Sequence, residues 1–212
     1  YVPLPGFLLL PLSILAGIIA GGLYATLVAV LNMKFQSSIV ICTLMLNYVA
    51  NYIASYLVSY PFKDKSGDGL SLVTKTIPES THFLQFSSSN TLNLGIVVAA
   101  VITILFFYME RKTVFGYESK MTGLNPHFAK YGGVFEKKVM LKTMALSGAI
   151  AAVAGMCEIF GYKYRYTDGM FTSASYAWTG LMAALIADLH PVGILVSSIF
   201  LSGLQVGGQA IQ

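Results

Sequence analysis

Asn47, Asn51 and Ser55 stand four residues apart within an apolar stretch, and Thr43 and Ser59 continue the spacing on either side. Each four-residue step advances about 40 degrees around a helix, so the three middle side chains share a face and the ends spiral away. Amides and hydroxyls inside a lipid-embedded segment are costly unless they bond a neighbouring helix or line a wet path. Their chemistry is reversible hydrogen bonding, either between helices or to a polar uncharged solute. Glu158 closes a later apolar stretch, beside Lys163 and Arg165. Such a carboxylate faces protein or water, or stands solvated at the boundary. Tyr176 and Trp178 offer aromatic faces, either for stacking a flat solute or for anchoring the chain at a membrane interface. Asp188 and His190 flank the short apolar segment 176–187, where the plainer reading is a helix end.

Other chemistries find no support. The chain contains no G-x-x-x-x-G-K-[ST] phosphate loop, so it does not bind ATP in that manner. His82, His127 and His190 are scattered, and Cys42 and Cys157 sit inside apolar runs. Neither a metal site nor a disulfide framework is indicated. No nucleophile stands beside a recognisable base and orienting group.

The elements that would position these residues follow from composition. Of the 212 residues, 56% are hydrophobic and 10% charged, and the mean hydropathy is +0.70, far from soluble domains in which roughly a quarter of residues are charged. The expectation is an all-α, polytopic transmembrane helix bundle of about five or six spans. Apolar stretches near 6–31, 38–60, 92–109, 139–160 and 191–212 fit crossings, and Lys34 is read as marking a short turn after the first. Segment 176–187 is short for a crossing, so a half-length or re-entrant helix is expected there. Gly17 with Gly21, and Gly203 with Gly207, have the GxxxG spacing that lets helices approach closely, and 139–160 is dense in Ala, Ser and Gly. The chain starts without Met, lacks a signal-peptide pattern and stops at Gln212 inside an apolar run. It is therefore expected to be part of a longer protein.

Charge sets the expected topology. Segment 110–142 holds Arg111, Lys112, Lys120, Lys130, Lys137, Lys138 and Lys142, against Lys63, Lys65 and Lys75 in 61–91. The positive-inside rule then places 110–138 in the cytoplasm and the loop 61–91 outside, with residue 1 on the outer side. The side reached by Gln212 stays open. The net charge of +4 is concentrated in one loop, which argues for topology and against nucleic acid.

Within that loop, 124–135 reads as a short helix lying along the membrane surface. Asn125 suits the N-cap and Pro126 the first helical position. Phe128, Tyr131 and Phe135 would form one aromatic face, and Gly132 with Gly133 would end the helix or admit a partner's backbone. An ordinary amphipathic loop packed on its own bundle fits the same spacing.

From Glu110 the chain reads ERKTVFGYESKMTGLNPHFAKYGGV. This resembles the cytoplasmic loop of permease subunits of bacterial ABC importers, in the branch serving simple sugars, nucleosides and branched-chain amino acids. Gly116-Tyr117-Glu118, Gly123-Leu124-Asn125-Pro126, Ala129 and Tyr131-Gly132-Gly133 carry the likeness, and Gly132 stands where Ala is more usual. It extends to Met45-Leu46-Asn47-Tyr48, Ile77-Pro78-Glu79-Ser80, Ser147-Gly148-Ala149 through Gly155, Ala183-Ala184-Leu185 and His190-Pro191-Val192-Gly193. The Ile-Pro-Glu-Ser stretch and long outer loop are most similar to the nucleoside, purine-type branch.

The resemblance implies a multi-pass protein of the bacterial cytoplasmic membrane and no enzyme. Its loop would seat a coupling helix, Gly123, Leu124, Asn125, Pro126, Phe128, Ala129, Tyr131, Gly132 and Gly133, in a separate ATP-binding cassette subunit. ATP would lie on that partner, with no cofactor in this chain. A second permease subunit, identical or different, and an extracytoplasmic substrate-binding lipoprotein are the other implied partners. Asn47, Asn51, Ser55, Glu158, Tyr176 and Trp178 are the candidate pathway residues, for a nucleoside or simple sugar. Two alternatives remain: a secondary transporter using 176–187 as a broken helix, and a membrane-embedded enzyme using Glu158, Asp188 and His190.

Overall fold

The computed structural model describes residues 6–64, 72–78, 81–83, 85, 93–173 and 175–211. Glu79 and Ser80, Leu92 at the start of the expected third span, and Gln212 lie outside the described residues. The chain runs through α1 (Gly6–Phe35), α2 (Ile39–Ser59), α3 (Gly95–Lys112), α4 (Val114–Leu124), α5 (Pro126–Tyr131) and α6 (Glu136–Glu158). A π-helical turn (Ile159–Lys163) extends α6, and α7 (Met170–Ser173), α8 (Tyr176–Ile186) and α9 (Pro191–Ile211) follow. Extended backbone among the described residues is confined to isolated β-bridges. The bundle is all-α and polytopic.

Among the described residues, four stretches are long and apolar enough to cross a membrane: Leu8–Phe35, Ile39–Ser59, Glu136–Lys163 and Pro191–Gly208. Helix α3 has 18 residues, but its last three are Glu110, Arg111 and Lys112, leaving a shorter apolar part. Lys34 does not mark a turn. Helix α1 continues through it to Phe35, and the reversal comes at Gln36, whose φ is 52°. There Asn32 Nδ2 donates to the Ser37 carbonyl at 2.5 Å.

The most extensive helix contact joins α1 to α6, and glycine makes it possible. A Cβ at Gly21 would sit 2.6 Å from the Gly148 carbonyl oxygen and 2.7 Å from Ala152 Cβ; one at Gly148 would strike the Gly21 carbonyl and Ala25. Gly17 lies under Met156 in the same seam. The other GxxxG pair behaves differently. Around Gly203 and Gly207 an added Cβ meets nothing within 4 Å.

At one end of the bundle, 72–83 is fastened to the segment after α6. Thr74 N–H donates to the Tyr166 carbonyl at 3.0 Å, Ile77 N–H to Tyr164 at 2.9 Å and Phe83 N–H to Phe160 at 3.0 Å. His82 stacks on Tyr164 at 3.9 Å between centroids. Thr81, 1% exposed, donates to the Pro78 carbonyl at 2.7 Å.

Helix α8 has only 11 residues, about 16 Å. Its first residue borders Glu158, while Leu189 beyond its end shares a recess with Thr143 and Ser147. Segment 176–189 thus runs back beside α6 towards the basic end. Asp188 and Leu189, at φ 50° and 60°, then reverse the chain. Helix α9 returns antiparallel to α8, with Ser197 Oγ donating to the Ala183 carbonyl at 2.8 Å.

Gly148→Leu is expected to destabilise the protein by about 3 kcal/mol through overpacking, with Gly203→Leu close to neutral. Thermal unfolding of the two variants in mild detergent checks this, and equal midpoints would contradict the seam.

Candidate functional site

Two neighbouring clefts share Tyr176. The first lies among α6, α7 and α8, has a volume of about 620 Å³, and is lined by Ala151, Ala152, Ala154, Gly155, Glu158, Phe171, Tyr176 and Ala177. Small side chains on α6 create the space, and Glu158 and Tyr176 are its polar groups. Tyr176 Oη donates to Glu158 Oε1 at 3.1 Å. The second, of about 400 Å³, opens between α8 and α9 and presents Tyr176, Thr179, Ser198, Ser202 and Gln205. Volumes of several hundred Å³ with a few convergent polar groups suit small ligands. The second cleft is lined by uncharged donors and acceptors.

Sequence reasoning missed Thr179, Ser198, Ser202 and Gln205. A signal existed for three of them, because residues 198, 202 and 205 fall on one face of a mainly apolar helix. Trp178, read as a companion of Tyr176, is exposed and lines neither cleft.

The α2 face meets the segment between α6 and α8 at the cleft end. Ser55 Oγ donates to Asp168 Oδ1 at 2.5 Å, and Thr172 Oγ1 to Asn51 Oδ1 at 3.4 Å. Asn47 is exposed. Two of the three α2 residues therefore tie helix α2 to 168–172. Beside them Tyr166 packs on Phe171 at 6.2 Å, and burial, reinforced by the Asp168 carboxylate, pushes the Tyr166 phenol above its ordinary pKa.

Glu158, Asp188 and His190 do not converge. Glu158 borders the start of α8, whereas Asp188 and His190 lie beyond its far end, His190 against the Phe107 ring. The 11 helical residues between put them about 16 Å apart along the axis. The geometry for a shared acid–base centre is missing.

At the basic end, the loop folds into two helices rather than one. Thr113 caps α4, accepting from Gly116 N–H at 3.2 Å. Gly116 is buried under the Met109 and Glu110 carbonyls, where a Cβ would collide. Helix α4 was absent from the sequence reading, which took this stretch as charged loop.

Helix α5 is shorter than the expected 124–135. Leu124 ends α4, and Phe135 occupies the N-cap position of α6, so Phe135 leaves the aromatic face. The caps explain the length. Asn125 Oδ1 accepts from Phe128 N–H at 3.1 Å, and Pro126 opens the helix. Gly133, at φ +81°, donates to the Lys130 carbonyl at 3.1 Å while Val134 N–H reaches Ala129 at 3.0 Å. This pair of bonds is a Schellman stop. Ala129 is buried at 3% exposure, while Phe128 is 59% and Tyr131 93% exposed. Helix α5 therefore rests one side on the protein and shows aromatics on the other.

A polytopic bundle with solute-sized clefts bearing a few polar groups at one end and a capped, aromatic helix at the other defines an integral-membrane protein. The chain belongs to the family described as branched-chain amino acid transport system / permease component, whose model matches residues 2–212. It is 28% identical over 210 residues to the nucleoside ABC transporter permease NupB of Lactococcus lactis, covering 96% of this chain and 57% of NupB. It is 29% identical to the guanosine ABC transporter permease NupP of Bacillus subtilis, covering 96% and 58%. The glucose ABC transporter permease TsgB13 of Haloferax volcanii is 28% identical, at 100% and 57% coverage. The chain thus spans under three fifths of these relatives' length. No solved structure matches.

With Cys42 and Cys157 replaced by Ser, Ser202→Cys and Gln205→Cys are expected to react with a charged, water-soluble maleimide about tenfold faster than Phe200→Cys on the opposite face, since the thiolate forms only where water reaches. Equal rates would show that the α8–α9 cleft is not wet.

Proposed function

We propose that this chain is the larger part of a permease subunit of an ATP-driven importer, passing a nucleoside or related polar solute by alternating access. The observation that carries the proposal is α5. A six-residue helix fixed by Asn125 and a glycine stop, aromatic on its outer side, is a rigid short lever with an unmet apolar surface. Four residues, 132–135, separate it from α6, the helix that walls the larger cleft. Displacement of α5 by a closing ATPase pair would pass into α6 and change access to the clefts.

The chemistry of the clefts supports the substrate class. Gln205, Ser202, Ser198 and Thr179 can bond the hydroxyls and ring edge of a nucleoside or sugar, and Tyr176 can stack a base. The names of NupB and NupP point to nucleosides and that of TsgB13 to glucose. Glu158, held by Tyr176, would accept from a ribose or base donor. The proposed partners are the ATP-binding subunit, a second permease subunit and an outer substrate-binding lipoprotein, in a cytoplasmic membrane with the basic end inward.

Two outcomes test this in the full-length transporter. Gly133→Val, which forces a β-branched residue to φ +81°, and Asn125→Ala, which removes a cap worth about 1 kcal/mol, should both cut uptake and stimulated ATP hydrolysis without lowering membrane insertion. Unchanged uptake in Gly133→Val would remove the coupling role. Separately, Gln205→Ala should raise the half-saturating nucleoside concentration about tenfold, the scale of one buried hydrogen bond. Competition by unlabelled nucleosides, pentoses and branched-chain amino acids identifies the class, and competition by the amino acids alone would exclude the nucleoside reading.

A further inference from the structure

A charged recess lies apart from the two clefts. At the basic end, α3, α4 and the residue before α9 surround a space of about 380 Å³ that includes Phe107, Glu110, Arg111, Tyr117, Lys120 and His190. The Arg111 guanidinium lies over the Phe107 ring at 4.2 Å, and His190 meets the same ring edge-on at 6.1 Å. Phe107 thereby fixes two nitrogen-bearing groups at the recess without neutralising them. Among the described residues, neither Arg111 nor Lys120 forms an ion pair. Arg111 and Lys120 against Glu110 leave these three side chains with one net positive charge.

A second observation shows what kind of anion fits. From Arg111 a line of exposed side chains runs back along α3 through Tyr108, Ile104, Val101 and Val97, spaced alternately by three and four residues. That spacing is one helix face. It covers about 21 Å, against about 15 Å for the hydrocarbon of one leaflet. A free phosphate would need only the cations. A phospholipid would use both the cations and the stripe.

We infer that this recess binds the headgroup of an anionic phospholipid, with its phosphodiester between Arg111 and Lys120 and an acyl chain along the α3 stripe. Basic pockets between helices at the cytoplasmic surface suit such headgroups. Glu110 disfavours a doubly charged phosphate but accepts from hydroxyls, as Tyr117 also can, so a glycerol headgroup fits better than a bare phosphate. The inference rests on α3 being membrane-embedded, with its charged end at the surface. Its test reads lipid binding directly and is independent of uptake.

Native mass spectrometry of the full-length protein, titrated with phosphatidylglycerol in mild detergent, provides that test, with phosphatidylcholine as the neutral control. Wild type should retain phosphatidylglycerol over phosphatidylcholine. Each basic group near an anionic lipid is worth about fivefold, so Arg111→Ala with Lys120→Ala should weaken retention roughly thirtyfold. Arg111→Lys should keep most of it. Ile104→Ser retains both cations and should weaken only the lipid, so a folding defect in the double variant does not decide the matter. Equal retention by wild type and the double variant would overturn the site. Displacement of lipid by inorganic phosphate at similar concentration would assign the recess to a soluble anion instead. Loss of the ATPase subunit with lipid retained would make it a protein-docking surface and overturn the lipid assignment.

Discussion

The architecture hangs on the contact between Gly21 and Gly148. Two helix backbones meet there with no side chain between them, and a methyl group on either glycine would strike the other's carbonyl. Without water in the bilayer, helices gain little from hiding apolar surface from lipid, so close packing of this kind must hold them together. Helix α6 is the element that benefits. Its flank of small residues opens the larger cleft, its end carries Glu158 and the π-helical turn, and its start is separated from α5 by four residues. A helix locked at its middle, with the cleft at one end and α5 near the other, is what the proposed coupling requires to transmit a displacement.

The cleft end is organised by polar groups that find partners within the chain. Ser55 on Asp168 and Thr172 on Asn51 join α2 to the segment between α6 and α8, and Tyr176 on Glu158 joins α8 to α6. All three bonds involve exposed or half-buried groups, and the Tyr176–Glu158 pair borders the larger cleft. Helix α8 adds a different constraint. Being half-length, it lets α9 return beside it and sets Tyr176 in both clefts.

Much of this was legible in the sequence because bilayer chemistry is strict. The apolar runs, the GxxxG at Gly17 and Gly21, the Asn125–Pro126 helix start and the glycine stop are local signals, and each appears where its physics requires. What escaped was tertiary. Glu158 and Tyr176 stand as separate candidates in the sequence because 17 residues, a π-helical turn among them, lie between them. Asp188 and His190 looked like companions of Glu158 only because polar residues are rare in the chain. Leu124 and Phe135 were assigned to one helix since periodicity cannot see that Thr113 and Gly116 start an earlier helix, or that Gly133 stops the short one. The Ser198, Ser202 and Gln205 stripe was visible but was overshadowed by the more polar α2 series.

The central claim is that α5 docks on an ATP-binding subunit. Tyr131, 93% exposed, is the side chain placed to report it. The direct measurement is to replace Tyr131 with a photoreactive phenylalanine analogue in the full-length protein and irradiate native membranes. The account predicts an adduct with an ATP-binding cassette subunit, absent when the analogue replaces Tyr52 on α2. Adducts confined to lipid, or to the chain itself, would contradict it.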